Sequence, residues 1–226
     1  MKSIVIIASD FDAIAAAMAA MPRREVLTSA ERAILRHIPA HARRALDVGC
    51  GDGLVTRAMT RRGMNVLGID LSPRMVAPAQ ARTEPGLPIE YRVADIVADM
   101  LPHEAFDAVL TINMVHHVPL AEVVQRLVRA VAPGGVLLIQ DVVTRSDLRY
   151  LPVNVLARLC RWLGRLRSAP GDSRSVAALY DAHGAREVYL NPRQVVPAYR
   201  ALLPGARVLH HLEWRYSVIW HRPPAT

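Results

Sequence analysis

The chain of 226 residues is 52% apolar and only 5% aromatic, which suits one α/β domain with appendages around a core of mostly Ala, Val and Leu. Its formal charge of +8 would fit a polyanionic partner, yet of 28 basic residues only Lys2 is a lysine. The arginines are scattered as in a GC-rich coding bias, with no basic run interleaved with aromatics, so nucleic acid is disfavoured. Two isolated cysteines, Cys50 and Cys160, exclude a disulfide framework and a cysteine-spaced metal set, and indicate a reduced, cytoplasmic setting.

The apolar run at residues 3–8 is far too short to span a bilayer and lacks a cleavage region before Asp10 and Asp12, so neither a transmembrane segment nor a signal peptide is expected. Residues 11–21 place Ile14, Ala17, Met18 and Met21 on one stripe, a short helix ended near Pro22. Thr28-Ser29-Ala30-Glu31 matches a capping box and predicts a second helix that turns Ile34, Leu35 and Ile38 inward.

Residues 45–53, Ala-Leu-Asp-Val-Gly-Cys-Gly-Asp-Gly, read as a buried strand that enters a glycine turn and opens a helix carrying Leu54, Val55, Ala58 and Met59. Gly49, Gly51 and Gly53 allow positive φ and let a ligand lie against the main chain, as in a nucleotide cradle. A dinucleotide fingerprint would have its third glycine at position 54, where Leu54 stands, and this opposes a nucleotide-dependent dehydrogenase. Asp47 suits a ligand with an ammonium group better than one with phosphates; a tight turn with no ligand is the plain alternative.

DVGCGDG resembles motif I of the class I S-adenosylmethionine-dependent methyltransferases. The resemblance implies a Rossmann-like, doubly wound α/β sheet of seven strands, mostly parallel with an antiparallel last strand, and S-adenosylmethionine as cofactor. It places Asp47, Gly49, Cys50, Gly51 and Gly53 at that cofactor. It further implies a helical segment 1–40 over the cofactor mouth, and a methyltransferase domain 41–226 with a helical lid insertion at about 145–190.

From the turn onward strands and helices alternate, the signature of a parallel sheet covered on both faces. Residues 66–70 form a second strand ending in Asp70, about 20 residues past the turn, where an acid can accept from both ribose hydroxyls; Leu71 follows it, and Ser72-Pro73 opens a helix. A third strand, 89–94, closes at Asp95, and the resemblance puts Asp95 and Ile96 beside the adenine. A solvent-facing or turn carboxylate is the alternative for either acid.

The fourth strand, 106–112, runs into Asn113-Met114-Val115-His116-His117 at the edge where ligands of open parallel sheets bind. Asn113, Met114 and His117 are therefore expected beside the transferred methyl, His117 by resemblance on the cofactor side. Imidazole titrates near neutrality and can take a proton from an incoming nucleophile, which makes His116 the first and His117 the second candidate base. As metal ligands the pair is poor, since adjacent side chains diverge and no third ligand has a recognised spacing; no metal is expected.

A helix at 120–131 presents Val123, Val124, Leu127 and Val131, and Pro133-Gly134-Gly135 resembles the family's turn into strand five. Beyond it, residues 151–166 read as a basic amphipathic helix, a lid or a membrane-surface element. Tyr180 and His183 are candidates for substrate contact, with helix-end chemistry as the alternative. Asn191-Pro192 opens a last helix that ends at Pro204-Gly205; residues 207–212 and 216–221 are two closing strands expected to pair antiparallel at the sheet edge.

The implied activity is methyl transfer from S-adenosylmethionine to a small-molecule acceptor, a hydrophobic one included, at O, N or C. An RNA methyltransferase and a cofactor-binding protein without catalysis are the alternatives. Asn113 is not followed by the Pro-Pro-Tyr of amino-methylating nucleic acid enzymes.

Overall fold

The computed structural model describes residues 12, 13, 15, 16, 26–144, 155, 189–211 and 214–225. Helix α1 (Ser29–Leu35) starts where its sequence signal lies: Thr28 Oγ1 accepts from the Glu31 amide at 3.1 Å, and the Glu31 carboxylate accepts from the Thr28 amide at 2.7 Å. Strands β1 (Arg44–Val48), β2 (Asn65–Asp70), β3 (Ile89–Val93), β4 (Phe106–Ile112), β5 (Val131–Val142), β6 (Arg207–His211) and β7 (Arg215–His221) form one sheet in the order β3-β2-β1-β4-β5-β7-β6. The first five strands pair in parallel, and β7 is antiparallel to both β5 and β6.

Both faces of the sheet are covered, so its central strands read as unbroken apolar runs rather than alternating ones. Period two then splits each run. Leu46, Val109, Leu137 and Ile139 pack with Val123, Val124 and Leu127 of α4 (Leu120–Ala130) and with Val195 and Tyr199 of α5 (Pro192–Leu202). Ala45, Leu110 and Leu138 face the other way, onto Ile34 and Leu35 of α1 and Met59 of α2 (Leu54–Thr60). A third, smaller cluster seats Val76 and Ala79 of α3 (Pro73–Ala81) against Tyr91 and Cys50.

Two details differ from the sequence reading. The Pro133-Gly134-Gly135 stretch lies within β5 rather than before it, because the Gly134 amide donates to the carbonyls of Arg222 and Pro223 and Gly135 accepts from the Arg222 amide. Gly134 keeps a left-handed φ of +75°, so the stretch is an irregularity inside the strand, and the register against β4 shifts between Phe106 and Ala108. A 3-10 turn, Val115–His117, also follows β4, with the His117 amide bonded to Met114 O at 3.0 Å.

Of the expected first helix, Asp12, Ala13, Ala15 and Ala16 are helical and the rest lies outside the described residues. So do the run at 3–8, the amphipathic segment 151–166 apart from helical Val155, and Tyr180 and His183. Among the described residues no helix is long and apolar enough to cross a membrane.

Candidate active site

Strand order reverses between β1 and β4, and the carboxyl ends of β1, β2, β4 and β5 bring the candidate residues to one edge of the sheet. The glycine turn is fastened to β2 by amides of Gly49 and Cys50 that donate to Ile69 O at 2.8 and 3.0 Å. Asp70 completes the fastening: its carboxylate accepts from the Gly51 amide at 2.9 Å and from the Ser72 amide at 2.9 Å. Burial raises its pKa, opposed by the backbone amides of Ser72, Gly51 and Leu71 that bond to it. Asp70 is thus a clasp between two loops, and its oxygens retain lone pairs for further donors.

The three glycines are bare for different reasons. At Gly51, φ is +54° and a Cβ would meet nothing within 4 Å, so the main chain there is open to a ligand. At Gly53, φ is +76° and a Cβ would collide with the Tyr91 hydroxyl, Arg57 and Ala79, so its bareness serves packing. A Cβ at Gly49 would press on Met114 at 3.1 Å, which brings the β1 and β4 tips into contact.

Asp47 lies beneath the turn, 2% exposed, and accepts from Thr56 Oγ1 at 2.6 Å. Burial pushes its pKa up to about 7; the Thr56 hydrogen bond works against this, and the Asp70 and Glu31 charges add to it. Cys50 is buried, and its thiol is pushed up by burial and by the nearby carboxylates of Asp47 and Asp70, so it is an inert apolar contact. Asp95 turns the chain after β3, with Oδ1 accepting from the Val97 amide at 2.8 Å, while Ile96 is buried beside it. The turn role is the alternative that the sequence offers for Asp95.

Asn113 takes a left-handed φ of +56° and is exposed; its side-chain oxygen accepts from Arg215 Nη1 at 2.7 Å. His116 and His117 follow with ring centroids 3.8 Å apart, and Tyr189 lies 4.8 Å from His116 on a ring of its own. The sequence reading missed the partner of His116. Asp141, at the end of β5 and 0% exposed, accepts from the His116 amide at 3.0 Å with Oδ2, and its Oδ1 lies 2.7 Å from His116 Nδ1. An acid closing the apolar run of strand five was the only local signal for it, and nothing within the chain's local pattern relates positions 116 and 141. Arg215 and Tyr189 were missed for the same reason.

A methyltransferase-domain family model matches residues 46–139, from β1 into β5. An uncharacterized methyltransferase of Mycobacterium tuberculosis is 34% identical over 190 residues, covering 82% of this chain and 90% of that protein. The chain belongs to the class I S-adenosylmethionine-dependent methyltransferases. A ubiquinone biosynthesis O-methyltransferase of Chromobacterium violaceum is similar to this methyltransferase at 43% identity over 105 residues, 44% of each chain. In fold, the methyltransferase resembles an S-adenosylmethionine dependent methyltransferase from Mesorhizobium loti, with a TM-score of 0.58 at 21% identity over 84% of this chain and 96% of the other. The enzyme's cofactor is S-adenosylmethionine, and the open main chain at Gly51 beside the Asp70 carboxylate fits it.

Proposed function

We propose that this methyltransferase transfers a methyl group in line to a small-molecule acceptor, with His116 as the base that takes the acceptor's proton. The reading rests on the enclosure of His116: its side chain is 9% exposed, with His117 on one side and Tyr189 nearby. A histidine walled by rings suits an acceptor small enough to enter a pocket, whereas an enzyme that reads a polymer presents an open basic surface. The similarity to ubiquinone biosynthesis O-methyltransferases supports the same acceptor class.

S-adenosylmethionine supplies an already activated methyl group on its sulfonium. The protein's part is to hold, align and keep water away. In this reading the main chain at Gly49, Cys50, Gly51 and Gly53 and the Asp47 carboxylate beneath receive the amino-acid end of the cofactor. Asp70 and Leu71 receive the ribose, Asp95 and Ile96 the adenine, and Asn113, Met114 and His117 flank the reacting centre. The segment 1–40 closes over the mouth, a role supported by Asp12, whose carboxylate accepts from Ser72 Oγ at 2.5 Å and lies 3.7 Å from Arg74 Nε. Tyr180 and His183, within the expected lid insertion at about 145–190, are the candidates for acceptor contact. Two isolated cysteines support a cytoplasmic setting.

Incubation with methyl-tritiated donor and a metabolite extract tests the reading. Label is expected in small molecules, and His116→Ala should lower its incorporation about a hundredfold while leaving S-adenosylhomocysteine affinity within threefold. Label confined to RNA would overturn the acceptor class, and a fully active His116→Ala would remove His116 from the base role.

A further inference from the structure

We propose that Asp141 is a positioning residue that fixes the tautomer of His116, so that the ring meets the acceptor with Nε2 bare and the methylated atom is the oxygen of a hydroxyl. The proposal rests on the reading of His116 as the base and deepens it.

Asp141 is fully buried; Oδ2 accepts from the His116 amide at 3.0 Å, Oδ1 accepts from the Val142 amide at 2.7 Å, and His116 Nδ1 lies 2.7 Å from the same Oδ1. Each carboxylate oxygen is already the acceptor of a backbone N–H, so we assign the hydrogen of the remaining contact to the ring nitrogen. In a neutral imidazole the other nitrogen, Nε2, is then the lone-pair nitrogen. The amide bond from the same residue pins the His116 backbone to the same carboxylate, so ring and main chain are held together at one point.

The surroundings leave His116 as the only side chain hydrogen-bonded to Asp141 among the described residues. Tyr216 is the cross-strand partner of Asp141, and its hydroxyl pairs instead with that of Tyr199 at 3.1 Å. Burial pushes both phenols up, with the Asp141 charge a smaller cause in each, so they stay neutral beside it. Among the described residues the other rings facing His116 are those of His117 on the same turn and Tyr189.

A base fixed in this way matters most for a nucleophile that arrives protonated and neutral. For a phenol or alcohol the balance is complete: the O–H proton passes to Nε2, the oxygen bonds to the methyl carbon, and the carbon–sulfur pair stays on sulfur, which becomes a neutral thioether. The His116 imidazolium that results is stabilised by the Asp141 carboxylate. A thiolate or a neutral amine attacks without prior loss of a proton and has no use for the arrangement.

Nitrogen-15 spectra of histidine-labelled protein, saturated with S-adenosylhomocysteine at pH 8.5 and assigned with His116→Gln, read the tautomer directly. Wild type should show Nδ1 protonated and Nε2 bare at His116; hydrogen on Nε2 would overturn the proposal whatever the acceptor proves to be. In the tritium assay with a metabolite extract, Asp141→Ala should fall about a hundredfold, with S-adenosylhomocysteine affinity within threefold. The double variant with His116→Ala should be no slower than His116→Ala alone, because the carboxylate acts through the ring. Asp141→Asn, which keeps an acceptor for the backbone amides, serves where Asp141→Ala does not fold. Multiplicative losses in the double variant, or a labelled product alkylated at nitrogen or carbon, would sink the proposal. A fully active His116→Ala would instead refute the base itself, so the two failures are distinct.

Discussion

Asp47 shows how far one buried carboxyl departs from the usual behaviour of its kind. It is 2% exposed with the Thr56 hydroxyl bonded to it, and its pKa rises from 3.8 to about 7 because burial penalises the charged form. A folded-state value above the unfolded one means that the native state holds the proton more tightly, so stability falls as pH climbs from about 4 to about 7 and levels off above. Asp47→Asn keeps an acceptor for Thr56 and removes the titration. Between pH 5 and pH 8 the stability of wild type relative to Asp47→Asn should therefore drop by about 2–3 kcal/mol, measured by urea denaturation. A difference that stays constant with pH would show that Asp47 titrates normally. The acid is plain in the sequence as an Asp before a glycine turn, whereas its contact with Thr56 of α2 is a feature of the fold.

At the scale of elements, the strand–turn–helix unit from β1 to α2 divides its labour between glycines that look alike in sequence. Gly51 opens onto space and Gly53 is pressed by Tyr91, Arg57 and Ala79. Gly53→Ala should destabilise the protein by about 1–3 kcal/mol, through both overpacking and the strained left-handed backbone, and Tyr91→Phe in the same chain should recover part of it. Gly51→Ala should cost stability less and S-adenosylhomocysteine affinity more. Equal effects of the two substitutions on both thermal midpoint and calorimetric affinity would erase this distinction. The helix starts were readable because capping is settled within four residues: Thr28 with Glu31 and Ser72 before Pro73 both cap as their spacing predicts. The inclusion of Pro133-Gly134-Gly135 in β5 was not readable, since its hydrogen-bond partners are Arg222 and Pro223 in the tail after β7.

For the whole molecule, the sheet is the scaffold that gathers the site, and its middle carries the stability. Leu110 in β4 is 0% exposed and packed with Ala108, Leu138 and Ile34. Leu110→Ala should cost about 2–5 kcal/mol, seen as a lower urea midpoint at unchanged slope. A loss below 1 kcal/mol would mean that this face of the sheet collapses around the gap. Alternating apolar runs and helical stripes, together with DVGCGDG and its 20-residue spacing to Asp70, were enough to name the architecture, the family and the cofactor, because periodicity, caps and turns are governed by interactions a few residues long. Which strand β7 would sit beside, which glycine faces ligand and which faces protein, and the joining of His116 to Asp141 across 25 residues were decided only in three dimensions, where packing brings distant positions together and burial changes what a carboxylate is.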